Sequence, residues 1–256
     1  MTVTDVDVRT LEVLTDEELS VLTSGPGVVV TPYLDTVPDA ALDAVRRTAF
    51  RGLVSRGLVD TPDPSAADRA AGEVLVREDV RSTVTLREAA RTVVAVARTA
   101  TGRQDFWYAH VVHEVVLLEE VGPDGLHRFA LARAADLPEL LVAAAIAPGA
   151  ADGTGEPVHL DAEVDAEAPP ELAVRLGEAH LRADVVKVEA GPVGSPARSH
   201  RPVLTGVWTG SKGSWSVLAD PATASVSAHP RRVEELAERL RDLAREAVEE
   251  QEGVFA

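Results

Sequence analysis

The sequence predicts a mixed α/β (α+β) fold whose strands pair as antiparallel hairpins. Three observations predict it. Runs with two-residue apolar alternation are interspersed with runs whose apolar residues recur every three to four positions. Two turn tetrapeptides, Gly122-Pro123-Asp124-Gly125 and Gly210-Ser211-Lys212-Gly213, each separate two strand-like segments. The order helix, antiparallel meander, helix occurs once in each half of the chain. No alignable repeat accompanies it, so the expectation is two pseudo-symmetric halves.

In chain order, Val6, Val8, Leu11 and Val13 share the spacing of a strand face, and Thr15-Asp16-Glu17-Glu18 follows. Thr15 and Glu18 make a capping box, which opens a short helix through Leu19 and Leu22. Ser24-Gly25-Pro26-Gly27 stops it, and Val28-Val29-Val30 predicts a short buried strand. Pro38 starts the next helix without losing a hydrogen bond. Leu42, Val45, Ala49, Phe50 and Leu53 give it one apolar stripe, and Gly57 ends it in a left-handed conformation. Ala66 to Val76 predicts a further helix, and from Thr83 the helical period is lost. Strands are expected at Val93–Val96, Phe106–Val112, Glu114–Val121 and Leu126–Ala132. Asp136 then caps a helix that has Pro138 in its first turn and runs to Ile146. In the second half the expectation is a helix at Leu172–Leu181. Strands follow at Val185–Val188, Val203–Thr209, Ser214–Leu218 and Ala224–Ala228, and a long helix runs from Arg231 to about Glu250. Residues 149–157, GAADGTGEP, have the composition of a linker, and Asp161 to Pro170 is a second acidic stretch. The predicted organisation is thus an N-terminal half at 1–148, an acidic linker at 149–170 and a C-terminal half at 171–256.

Composition narrows the function classes. The chain has 256 residues, 45% hydrophobic and 26% charged, which suits a globular core. Its longest apolar run, Leu140 to Pro148, is about half of the ~18 residues a membrane span needs. The start, MTVTDVDVRT, lacks a basic-then-apolar export signal, so the expected compartment is the cytoplasm. There is no cysteine, hence no disulfide, thiolate metal site or cysteine nucleophile. The net charge of −17 divides into −9 over residues 1–150 and −8 over 151–256. Such a diffuse field repels phosphate backbones and anionic lipid, so neither nucleic acid nor membrane is the expected partner.

No catalytic constellation stands out. Ser211 and Ser214 lie in a glycine-rich segment that joins two strands instead of opening a helix, so the plainer interpretation is a hairpin turn. His110 and His113 are three apart on a strand-like run and should face opposite ways, one to the core and one to solvent. His127, His159, His180, His200 and His229 have no metal-ligand spacing. Asp16-Glu17-Glu18 fits a helix N-terminus, and Glu119-Glu120 flanks a turn. No cofactor, metal or catalytic residue is therefore expected. An enzyme built on His110 or His127 with a nearby carboxylate is a third possibility. The second is a winged-helix-like DNA-binding regulator, in which Arg46, Arg47 and Arg51 on the helix ending at Gly57 would face DNA; neighbouring acids cancel those charges and no basic wing follows. What remains is aromatic sheet surface for protein contact. Alternation puts Phe106 and Tyr108 on one face and Trp107 on the other. Phe106, Tyr108, Trp208 and Trp215 are the candidate protein-binding residues.

Four segments together resemble the EspG family, cytosolic chaperones of actinobacterial type VII (ESX) secretion. They are the Leu14-Thr15-Asp16-Glu17-Glu18-Leu19 helix start, the Leu53 to Val59 helix end, the Gly125 to Leu131 strand before a helix, and the Trp208 to Trp215 hairpin. The resemblance implies a central antiparallel β-sheet flanked by helices. It also implies a non-enzymatic chaperone or adaptor. The implied partner is a helical secreted protein or heterodimer client, PE–PPE-type or WXG-like, kept soluble for export.

Overall fold

In the computed structural model, which describes residues 7–23, 27–60, 75–161, 179–189, 205–220 and 225–252, ten strands join in one antiparallel sheet. The first half supplies β1 (Arg9–Thr15), β4 (Thr92–Ala100), β5 (Arg103–Val112), β6 (Val115–Val121) and β7 (Leu126–Arg133). The second half supplies β8 (Val158–Asp161), β9 (Leu181–Glu189), β10 (Thr205–Gly210), β11 (Gly213–Asp220) and β12 (Ser225–Pro230). A separate two-stranded ribbon pairs β2 (Val59–Asp60) with β3 (Leu75–Val76). The main sheet runs β1-β7-β6-β5-β4-β9-β10-β11-β12-β8. Each half is therefore a four-stranded meander whose far edge is closed by a strand that precedes it in sequence. The halves meet along β4 and β9, in a ladder from Thr92↔Glu189 to Thr99↔Arg182 whose centre falls at Ala95↔Val186 and Val96↔Val185.

The helices cover the two faces unequally. On one face lie α4 (Leu137–Ala145) and α5 (Val233–Glu252). They bury Val94, Val96, Trp107, Ala109, Val111, Ala183, Val185 and Val207 beneath Leu137, Leu141, Leu236 and Leu240. The helices are exchanged: α4, from the first half, packs on β9, and α5, from the second, packs on β4 and β5. The shared core thus cannot be divided without exposing both halves. On the other face, α1 (Asp16–Leu22), α2 (Asp39–Ser55) and α3 (Glu78–Ala89) cover the outer strands of the first half. Leu14, Leu19, Leu53, Leu58 and Val80 pack there against Leu117 and Phe129.

Local signals explain much of this. Thr15 Oγ1 accepts from Glu18 N at 3.2 Å and Thr15 N donates to Glu18 Oε2 at 3.1 Å, completing the capping box. Gly57 closes α2 at φ +65, and both turn tetrapeptides form hairpins.

Several expectations are corrected. Val28–Val30 is not a strand; Val29 is buried in a bend, and Val30 N donates to the Tyr108 hydroxyl instead of to a ladder. The helix expected at Ala66–Val76 lies mostly outside the described residues, but Leu75 and Val76 are strand. The loss of helical period expected from Thr83 is overturned by α3, whose Val80, Thr83 and Val84 are buried. Asp136 makes no capping bond, because its carboxylate is held by Arg133 at 2.8 and 3.0 Å. The helix expected at Leu172–Leu181 lies outside the described residues up to 178, and Leu181 opens β9.

The segment read as a linker is pinned as far as Gly153. Ala151 N donates to Gly210 O and Gly153 N to Arg231 O, while Asp152 Oδ1 accepts from Val233 N at the start of α5. A side chain at Gly153 would bring a Cβ within 2.0 Å of Ser214 O. β8 follows directly as an edge strand, and the acidic stretch beyond Asp161 lies outside the described residues.

Candidate functional site

A buried cluster of titratable groups lies between the sheet and the α1–α3 layer. Glu119 on β6, His110 on β5, His127 on β7 and Asp16 at the start of α1 are all buried, and Arg87 of α3 joins them. His127 Nδ1 lies 2.6 Å from Glu119 Oε1, and its Nε2 2.5 Å from Asp16 Oδ1. Ionised carboxylate oxygens only accept, so the ring donates from both nitrogens and is positively charged. Burial alone pushes the His127 pKa down; the bonds to Asp16 and Glu119 outweigh it and raise the pKa. Glu119 Oε2 also accepts from His110 Nε2 at 2.7 Å and Arg87 Nε at 2.9 Å. Burial favours its neutral form, but the two histidines and Arg87 win and hold it far below the usual carboxylate range. Asp16 Oδ2 takes the backbone N–H groups of Tyr33 and Leu34.

This arrangement has the ingredients of acid–base chemistry but no access. His127, Glu119 and Asp16 are 0% exposed, so no substrate atom reaches them in this conformation. The carboxylates of Asp16 and Glu119 are each held by groups from other elements, His127, His110 and Arg87, which suits a device that fixes the α1–α3 layer to the sheet. His110 points inward and His113 is exposed, as expected, but His113 lies past the end of β5 in the turn to β6, with φ +53, and not on the strand. Sequence reasoning named His110 or His127 with a nearby carboxylate but did not join them to Asp16, because Asp16 and His127 are 111 residues apart. Among the described residues, no group of three His, Cys, Asp or Glu side chains is arranged to hold a metal ion.

The four candidate protein-binding aromatics share the sheet face opposite α4 and α5, in two pairs. Phe106 and Tyr108 stand on β5 with ring centroids 6.5 Å apart. Trp208 and Trp215 are directly opposed across β10 and β11. The pairs are separated by β4 and β9, three strand spacings or ~14 Å. Tyr108 is 3% exposed and bonded through its hydroxyl, and Trp215 is 6% exposed over Gly213. Phe106 and Trp208 are only half-buried, and the Arg182 guanidinium stacks 3.8 Å above the Trp208 ring.

Between the pairs the central strands are sealed at Val93 and only partly covered beyond it. Val94, Val96, Ala183 and Val185, facing α4 and α5, are sealed. Their neighbours on the opposite face, Ala95, Ala97, Val186 and Val188, are only half-buried, and Arg182 and Asp184 are exposed. Asp184 sits in an interior strand; partial burial raises its carboxyl pKa, offset in part by Arg182. The cause is geometric. The α1–α3 layer covers β1 and β5–β7 but stops short of the central ladder. The result is a shallow strip of small and branched apolar side chains, flanked by Phe106 and Trp208. It offers area and shape for a polypeptide, with a single ion pair's worth of charge at its floor.

No family model matches this sequence, and no curated protein sequence matches it either. The fold, however, has a solved counterpart in the secretion chaperones. The chain is similar to the Mycobacterium tuberculosis type VII secretion system chaperone EspG5, solved in complex with a PE25–PPE41 dimer. The identity is 10%, the match covers 92% of this chain and 95% of that one, and the TM-score is 0.52. At that identity the likeness is one of fold. Among the described residues, no helix is long and apolar enough to cross a membrane.

Proposed function

We propose that this protein is a chaperone or adaptor for secretion. It binds a helical type VII client, of the PE–PPE or WXG kind, and keeps the client's apolar end soluble until export. The observation that carries this is the half-open central strip of a ten-stranded sheet, where Ala95, Ala97, Val186 and Val188 keep contact with solvent between Phe106 and Trp208. An interior strand pair that the described helices leave only partly covered on one face is unusual in a folded domain, and apolar surface of that kind marks a binding region. The shared fold with a chaperone solved in complex with a PE–PPE dimer supports the same direction. The mode of action is lending apolar area, with no bond made or broken. The sealing of Glu119 and His127 supports that view, because the only buried acid–base cluster described has no route to a substrate.

The test is co-purification of the tagged protein from its native host in mild salt, with mass spectrometry of what is retained. The expected result is a small helical secretion substrate, retained by the wild type and lost from an Ala97→Glu/Val186→Glu variant that keeps its circular dichroism. Recovery of no such substrate overturns the proposal. Equal recovery with the variant removes the strip from it.

A further inference from the structure

A second surface, on the outer side of the α1–α2 layer, has a different chemistry. Val21 and Phe50, both half-buried, form the apolar floor of an open groove of ≈ 580 Å³, and Ser20, Arg46, Arg47 and Arg51 line its walls. Arg46, Arg47 and Arg51 are exposed, and among the described residues none of them has an ion-pair partner, in a chain with 42 acidic residues and a net charge of −17. Among the described residues, no acidic side chain lines the groove: Asp39 and Asp43 of α2 are not among its lining residues, and Asp16 and Glu18 of α1 are engaged elsewhere. Asp16 holds His127, and Glu18 holds Arg56 at 2.8 Å. A second open cleft, near the β4–β5 and β6–β7 turns, is unlike it. There Arg98 is matched by Asp105 at 2.5 Å and Arg128 lies 3.9 Å from Asp124. Of the two clefts, the α1–α2 groove is the one that joins an apolar floor to walls whose charges are all positive.

We propose that this groove docks an acidic segment of a second protein, with an apolar side chain seated against Val21 and Phe50 and carboxylates on Arg46, Arg47 and Arg51. Charge complementarity selects the occupant. Three guanidiniums on one helix face pair with a short run of Asp or Glu, and arginine is enriched at protein interfaces. A long polyanion would meet the repulsion of the whole chain, and its backbone has nothing to place on an apolar floor. The surface is separate from the central strip, and this inference does not rest on the client-binding proposal.

The test is fluorescence anisotropy with a labelled amphipathic peptide that carries a Leu-Phe anchor flanked by glutamates. Its counterparts have Gln in place of Glu, or Ser in place of the anchor; a duplex DNA of arbitrary sequence is the fourth probe. The protein is the full chain, as wild type, Arg46→Glu/Arg51→Glu, and Arg239→Glu as a control at an exposed α5 arginine that also has no ion-pair partner among the described residues. The expected result is that the acidic peptide binds at least tenfold more tightly than either counterpart. That preference disappears in the double variant and persists in the control. Equal binding of acidic and Gln peptides, or of wild type and double variant, overturns the proposal. So does DNA binding tighter than the peptide's and lost on the same reversal.

Discussion

Replacing Glu119 by Gln tests whether the buried charge cluster holds the N-terminal helical layer to the sheet. The side chain keeps its size and one acceptor oxygen, but loses the charge that faces His127 at 2.6 Å, His110 at 2.7 Å and Arg87 at 2.9 Å. Those three donors converge on a carboxylate that is 0% exposed, so water does not replace it. Removing one partner of a buried charged pair costs about 3–5 kcal/mol. The retained acceptor puts Glu119→Gln near the lower end, about 3 kcal/mol, which in a chain of this length lowers Tm by about 6–12 °C. Urea unfolding followed by circular dichroism measures the cost directly. Glu120→Gln, one residue along the same strand but exposed, is the control and should change stability by less than about 0.5 kcal/mol. If the two variants are equally stable, the cluster contributes nothing to holding the layers together and the reasoning fails.

The same cluster sets a pH dependence. The His127 pKa is raised above its ordinary 6.5, so its contribution is complete below that pH and is lost as pH rises through the folded value. The Glu119 pKa is depressed below its ordinary 4.5, so its contribution is complete above that pH and is lost as pH falls through the folded value. Stability from the cluster is greatest between these limits. The urea midpoint of the wild type should therefore fall on the alkaline side more steeply than that of His127→Gln, and parallel curves would refute this. Gly153→Ala tests the pinned crossing between α4 and β8. A Cβ there meets Ser214 O at 2.0 Å and Arg231 N at 2.7 Å, both backbone atoms that cannot turn aside. We expect a loss of about 1–3 kcal/mol in urea unfolding, and no loss would show that the segment lifts freely.

How much was legible depended on how far apart the partners lie. The capping box of Thr15 and Glu18, the stripe of α2, the left-handed Gly57 and the two hairpin turns join residues close in sequence, so composition and spacing reveal them. α3 was illegible for the opposite reason. Its Val80, Thr83 and Val84 are β-branched residues that favour strand, and packing under the first half overrides the preference. β8 sits among glycines, acids and a proline, and pairing with β12 alone makes it a strand. Alternation placed Phe106 and Tyr108 opposite Trp107. It did not show that Tyr108 is sealed by Val30 and Phe106 left half-open, because the covering loop arrives from 78 residues away.

The chain by itself therefore determined its mixed class, its antiparallel hairpins, its terminal helix and its acidity, all of them products of near neighbours and composition. Tertiary structure alone decided that β4 joins β9, that α4 and α5 exchange halves, that Asp16, His127 and Glu119 meet, and that the central strip stays only partly covered. Each of these is a contact between distant segments. Burial free energy selects such contacts over the whole molecule at once, and no window of sequence contains both partners.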